Sequence, residues 1–260
     1  MGDFERDTAV RPHGNGRFDC EIRPDWWIAA GPNGGYIGAI MVRALSYDQA
    51  LESRPLRSVT IHYLGRPKAG PAELQVEADR HGRSVSFVRA RLGQEGRTLA
   101  SAAAVFASDR PGIELDRVDP PDVPSPEEIE PLPDDPEGPP FARELEYRPA
   151  LGGRLFGGAD EALAGGWFRF RDERPLDAAA LVALCDAWFP ALFAVVSEPL
   201  PLPTLELTVH LRNRLPRPAD WTLGLYGTRL ARDGFLEETA ELFSRDGELL
   251  AESRQLALAG

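Results

Sequence analysis

The sequence predicts an α+β protein made of two tandem copies of one unit, each a curved antiparallel sheet wrapped around a central helix. Three observations carry this reading. Two stretches 148 to 151 residues apart resemble each other. A proline-rich acidic segment lies between them. The strongest helix candidate is apolar on nearly every side, so it has to be buried on every side.

The repeat comes first, because a missed repeat misreads the whole fold. From Ser58 the chain reads SVTIHYLGRP, and from Glu95 EGRTLASAAAVFA; from Leu205 it reads LELTVHLRNRLP, and from Asp246 DGELLAESRQLAL. Thr60-Ile61-His62 aligns with Thr208-Val209-His210 at an offset of 148, and Leu99-Ala100 with Leu250-Ala251 at 151. A small difference in hairpin length closes the gap. The order of elements agrees. The first copy offers a strand at Arg17–Arg23, a helix from Gly34 to Leu45, then strands Val59–Leu64, Glu73–Asp79, Ser84–Leu92 and Thr98–Ala107. The second offers a strand at Gly166–Arg171, a helix, then Leu205–Leu211, Thr222–Ala231, Phe235–Ser244 and Leu249–Leu258. Leu205, Leu207, Val209 and Leu211 alternate with polar residues, as a half-buried strand does. Glu95-Gly96, Asp233-Gly234 and Asp246-Gly247 are hairpin turns of the Asp-Gly kind.

The second helix is expected over Ala178–Val196, capped by Asp177. Leu181, Leu184, Cys185, Trp188, Phe189, Leu192, Phe193 and Val196 follow helical spacing, and the other face is largely alanine. Asp186 and Pro190 near its centre argue against a membrane span. In the first helix Gly34, Gly35 and Gly38 permit close backbone approach, at about 1 kcal/mol per mid-helix glycine relative to alanine. A curved sheet around one such helix is the hotdog fold, and two linked copies make a double hotdog. The expected organisation is an N-terminal hotdog at 1–110, a linker at 111–150 and a C-terminal hotdog at 151–260.

The net charge of −12 over 260 residues is concentrated: Asp109 to Glu146 holds 13 acids and three arginines. Nine of the 21 residues from Pro120 to Pro140 are proline, which reads as an extended, solvated tether. The rest is nearly neutral, so no basic face is expected for nucleic acid. No apolar run near the start suggests a signal peptide, and Cys20 and Cys185 are isolated; a cytoplasmic setting without membrane association is expected. No G-x-S-x-G, phosphate-binding glycine loop or zinc spacing is present, and no metal is expected.

Asp186 is the first candidate for chemistry. On the margin of an apolar stripe it is either a partly solvated, satisfied carboxylate or a general base whose pKa is raised by its neighbours. Thr204 begins the strand after the helix, and Gln255 interrupts Leu249–Leu258. Both residue types are common structural elements of strands. Their counterparts differ in the first copy: Asp186 falls opposite Gly35, and Gln255 opposite Ala104. Any site made of the three therefore belongs to the second copy alone.

GGWFRFRDERPLD, CDAWFPALF, PTLELTVHLR and LLAESRQLAL resemble the TesB-type (thioesterase II) acyl-CoA thioesterases, as do GPNGGYIGAIMVRAL and SVTIHYLGRPKAG in the first half. The resemblance spans most of the chain outside the N-terminal tail and linker. It implies hydrolysis of an acyl-CoA to free acid and CoA, with no cofactor, by a water that Asp186, Thr204 and Gln255 position. It departs from the family after the threonine, where Glu206-Leu207 replaces Asp-His. Homo-oligomeric association is expected, as in related proteins. Gly34 and Gly35, at a helix start, are the expected oxyanion donors, and Trp26, Trp27, Trp188 and Phe189 the expected acyl-pocket lining. The competing readings are a hotdog enoyl-CoA hydratase or dehydratase, which would need His62 or His210, and a non-catalytic acyl-CoA-binding protein.

Overall fold

Strand alternation and turn chemistry shape most of the chain. The computed structural model describes residues 3–29 and 31–260. In the first half a short helix α1 (Phe4–Asp7) precedes strands β1 (Val10–Gly14) and β2 (Arg17–Ile22), and a two-stranded ribbon of β3 (Trp27–Ile28) and β4 (Gly31–Pro32) leads into helix α2 (Gly34–Leu45). Strands β5 (Leu56–Tyr63), β6 (Gly70–His81), β7 (Val85–Gln94) and β8 (Arg97–Ala107) follow. The second half repeats the order: β9 (Leu145–Gly152), β10 (Leu163–Phe170), helix α3 (Ala178–Leu184), then β11 (Thr204–Leu211), β12 (Thr222–Gly227), β13 (Ala231–Arg232), β14 (Phe235–Ser244) and β15 (Leu249–Leu258). The turns at Glu95-Gly96 and Asp233-Gly234 place both residues at positive φ, the backbone that favours glycine at the second position.

All the strands except β3 and β4 join one 13-stranded antiparallel sheet, ordered β1-β2-β6-β7-β8-β5-β11-β15-β14-β12-β10-β9, with β13 beside β14. Its two halves mirror each other across the β5–β11 seam. There Thr60 pairs with Thr208, the very residues that the repeat aligns, and their hydroxyls lie 2.9 Å apart. A pseudo-twofold axis therefore runs through this pair. Leu207, Val209 and Leu211 of β11, like Val59 and Ile61 of β5, turn inward against the helices.

Helices α2 and α3 pack against each other inside the curl of the sheet. The contact is close because its residues are small. A Cβ built on Gly35 would lie 2.6 Å from the Ala183 carbonyl oxygen and 3.0 Å from Ala183 Cα; one on Gly38 would lie 2.9 Å from Val182 Cγ1. This helix–helix contact compensates the helical cost of those glycines. Charge clamps one end of the pair, where Arg43 in the last turn of α2 meets Asp177, the N-cap of α3, at 2.7 Å.

The helix expected over Ala178–Val196 is shorter than its apolar pattern. It ends at Leu184, passes through turns, and resumes only as a 3-10 segment at Ala191–Ala194. Pro190 has no N–H to offer the Asp186 carbonyl, and its ring crowds that position. The freed carbonyls find side chains: Tyr226 donates to Leu184 O at 2.6 Å, Tyr147 to Ala187 O at 2.8 Å and Asn33 to Asp186 O at 2.7 Å. Beyond the break Trp188 stays in the core and Phe189 packs against it, since burial does not require helicity, while Leu192, Phe193 and Val196 are half-buried. The strand expected over Thr222–Ala231 likewise divides into β12 and β13.

The proline-rich segment is more than a solvated tether. Val123 and Ile129 pack against the buried cluster of Trp167, Trp221, Leu223 and Phe243. Trp167 Nε1 donates to Pro124 O at 2.9 Å, and Arg148 donates to the Pro126 and Ile129 carbonyls at 2.6 and 2.9 Å. From Leu145 the chain forms β9, the outer strand beside β10.

Because the added methyl would strike backbone rather than a yielding side chain, Gly35→Ala is expected to destabilise the protein by about 1–3 kcal/mol. A urea titration should show a lower midpoint with an unchanged slope.

Candidate active site

Asp186 sits just past the end of α3, and the break places its side chain against the start of α2. Gly35 N–H donates to Asp186 Oδ2 at 2.8 Å, and Asn33 Nδ2 donates to the same oxygen at 3.2 Å. Asn33 is also the N-cap of α2, its Oδ1 accepting from Tyr36 N–H at 2.9 Å. The carboxylate thus caps a helix of the other half. Tyr63, the last residue of β5, closes the corner by donating to Gly34 O at 2.8 Å.

Two opposing effects set the charge on Asp186. Burial raises its pKa from 3.8 to about 6, while hydrogen bonds from the Gly35 and Gly34 N–H groups and from the Gln255 and Asn33 amides hold it down. The carboxyl is buried, but the residue as a whole lies at the margin of the core, half-buried. A carboxylate that titrates near neutrality suits a general base.

Thr204 and Gln255 join it from neighbouring strands. Thr204 Oγ1 donates to Gln255 Oε1 at 3.2 Å, and the Gln255 amide is also a hydrogen-bond neighbour of the Asp186 carboxylate. The three residues expected to act together are brought together, at the junction of α3, β11, β15 and the start of α2.

Two further members are not among the expected residues. Asn33 is one. The other is Glu238 on β14, buried beside Gln255. Glu238 Oε1 accepts from Gln255 Nε2 at 3.0 Å and Oε2 from Ala191 N–H at 2.6 Å. Burial pushes its pKa up to about 7, and the Asp186 charge adds to the rise. The signal for it is in the sequence: Leu236, Ala240 and Leu242 point inward at every second position, and Glu238 occupies the same face.

Other expectations need correction. Gly35 N–H is engaged by the Asp186 carboxylate, and Gly34 also bonds it, so neither is a free oxyanion donor. Trp26 is a core residue, stacked on Tyr36 with ring centroids 5.4 Å apart and donating to Asp7 Oδ2 at 3.1 Å. It lines a small apolar cavity of about 10 Å³ with Asn33, Phe141, Phe170, Ala183 and Ala187 among others, too small for an acyl chain. Trp188 is buried among Tyr147, Phe168 and Tyr226. Trp27 and Phe189 are part-buried against the core. His62 and His210, which a hydratase would need, are exposed.

A wider cleft of about 330 Å³, lined by Arg169, Arg174, Trp221 and Arg245 among others, lies at the opposite ends of β14 and β15 from Glu238 and Gln255. Its arginines are already engaged: Arg169 with Glu146, Arg245 with Glu127, and Arg174 against the Phe4 ring. Among the described residues no group of three or more His, Cys, Asp or Glu side chains is placed to hold a metal ion, and no helix is long and apolar enough to cross a membrane.

One continuous sheet curled around two antiparallel helices, with a carboxylate, a hydroxyl and an amide converging where the helices meet, defines a double hotdog of the thioester-hydrolase class. The chain belongs to the acyl-CoA thioesterase family: the family's N-terminal domain matches residues 23–107 and its C-terminal domain residues 120–259. Solved structures agree. A conserved hot dog protein of unknown function from Alicyclobacillus acidocaldarius superimposes with a TM-score of 0.91 at 26% identity, over 100% of this chain and 98% of its own. A protein provisionally named thioesterase II from Thermobifida fusca does so at 0.84 and 27%, with the same coverage. An acyl-CoA thioesterase II of Mycobacterium marinum shares the fold at 0.79 and 20%, over 99% of this chain and 98% of its own. No curated protein sequence matches the chain significantly.

The raised value at Asp186 has a consequence for stability. Between pH 3.8 and about 6 the folded protein binds this proton more tightly than the unfolded chain, so stability falls as pH rises through that window and the loss persists above it. Asp186→Asn carries no charge and escapes the loss. At pH 7.5 it is expected to be more stable than wild type by about 1–2 kcal/mol, allowing for the partial exposure of the site, and near pH 4 the two should converge. Urea unfolding at the two pH values measures this.

Proposed function

We propose that Asp186, Thr204 and Gln255 together hold and activate the water that hydrolyses the acyl-CoA thioester. The observation that carries this reading is the Asp186 carboxylate itself: poised near neutrality by burial, on a residue at the margin of the core, and beside an amide and a hydroxyl that fix a water's orientation. Asp186 accepts a proton from the water as the water oxygen bonds to the thioester carbonyl carbon. When the tetrahedral intermediate collapses, the carbon–sulfur bond breaks, CoA leaves as thiolate, and the proton passes to it. A positioned base contributes about 10²–10⁴-fold to such a step, and Thr204 with Gln255 adds orientation.

Association with further copies and a cytoplasmic setting complete the proposal. Phe235, Leu256 and Leu258, exposed on one stretch of β14 and β15, support the first. Two free, buried cysteines accord with the second.

Thiol release from acyl-CoAs of short to long chain should be seen with wild type and fall about a hundredfold or more in Asp186→Asn, with circular dichroism unchanged. Release that survives the substitution would mean that another group is the base.

A further inference from the structure

We propose that Glu238 is a positioning residue: it fixes which way the Gln255 amide faces and, through that amide, which way the Thr204 hydroxyl points. The proposal rests on the Asp186–Thr204–Gln255 reading above and adds a fourth residue to it.

Glu238 is 4% exposed, on the inward face of β14 between Leu236 and Ala240. A buried carboxylate is costly to keep without a role or strong partners. Its partners are well defined. The backbone N–H of Ala191, fixed by the 3-10 segment, donates to Oε2 at 2.6 Å, and the Thr228 hydroxyl is a further neighbour. Oε1 is left for Gln255 Nε2, at 3.0 Å.

In its ionised form, which prevails above about pH 7, the Glu238 carboxylate only accepts hydrogen bonds. Gln255 must therefore turn its NH2 toward Glu238, and the same amide helps to hold the Asp186 pKa down. Oε1 is forced to the other side, where Thr204 Oγ1 lies 3.2 Å away. An amide oxygen only accepts, so the Thr204 hydroxyl must donate to it. The hydroxyl proton is then committed, and the Thr204 lone pairs face the site. A water between Thr204 and Asp186 meets two acceptors and gives one proton to each. Its own lone pair stays free for the carbonyl carbon. With the amide reversed, Thr204 would accept from Gln255 and direct its proton at the water, occupying the lone pair that attack requires.

Glu238→Gln keeps the shape and reverses this logic. Because Ala191 N–H still needs an acceptor, the new amide must place its oxygen there and its NH2 against the Gln255 NH2. Steady-state kinetics on the best acyl-CoA substrate, for Glu238→Gln, Gln255→Ala and the double variant, test the idea. Glu238→Gln is expected to lower kcat by about tenfold or more while KM moves less than about threefold, the split that marks an interaction used in the transition state. In the Gln255→Ala background its effect on kcat should shrink to less than about threefold, because the positioning runs through that amide and only the direct charge contact with Asp186 is left. Wild-type kcat in Glu238→Gln, an effect on KM alone, or additive losses in the double variant would overturn the proposal. Should Glu238→Gln fail to fold by circular dichroism, Glu238→Leu takes its place in the same cycle. Asp186→Asn is run alongside: full activity there would sink the underlying reading, whereas its collapse beside an unaffected Glu238→Gln would sink the positioning role alone.

Discussion

The structure turns on the point where the two halves exchange a hydrogen bond, from the Gly35 N–H at the start of α2 to the Asp186 carboxylate at the end of α3. Around it the helices approach to backbone contact, the seam of the sheet crosses overhead at Thr60 and Thr208, and the candidate site opens. An N-terminal helix end favours a negative charge, both through its unpaired N–H groups and through the aligned peptide dipoles. The same contact therefore secures the packing of the two halves and keeps a buried carboxylate ionisable near neutral pH.

That balance explains why the surroundings are so heavily hydrogen-bonded. Breaking α3 beneath the sheet leaves several peptide groups without their helical partners, and four of them meet side chains, those of Tyr226, Tyr147, Asn33 and Glu238. An interior of this kind is rigid because every reorientation leaves some buried group unsatisfied. Rigidity is what a water-activating site requires, since the geometry of attack has to exist before the substrate arrives.

Much of the fold was legible in the sequence. Alternation and Gly-containing turns marked the strands, and aligning Thr60 with Thr208 anticipated the pair that meets on the axis. The end of α3 was harder to see. Trp188 and Phe189 keep helical spacing because they sit in or against the core whatever their backbone does, half-buried Leu192 and Phe193 extend the pattern, and Pro190 was the sole local sign of the break. At the site, Asp186 and Gln255 stood out as polar interruptions of apolar patterns. Glu238 is the same kind of interruption, but beside Glu237 it passes for part of a solvated stretch. Asn33 was hidden by its ordinary role as a cap. The engagement of Gly34 and Gly35 with a carboxylate could not be read from either stretch alone, because it depends on the distance between two helices remote in sequence.

The repeat also has an asymmetry across its axis. The start of α2 meets the end of α3 through Gly35 and Asp186, whereas the end of α2 meets the start of α3 through Arg43 and Asp177. A Cβ on residue 35 would lie 3.0 Å from Asp186 Cβ and 2.6 Å from a backbone oxygen. Two identical hotdog units would repeat one arrangement at both ends of the helix pair and could not give a carboxylate site at one end and an ion pair at the other. Only unlike units can, and free unlike units would also form the wrong, like-with-like assemblies. The proline-rich segment removes that choice. By holding one glycine-bearing unit at high effective concentration beside one aspartate-bearing unit, it acts as a stoichiometric device that guarantees one correctly mismatched pair in every chain.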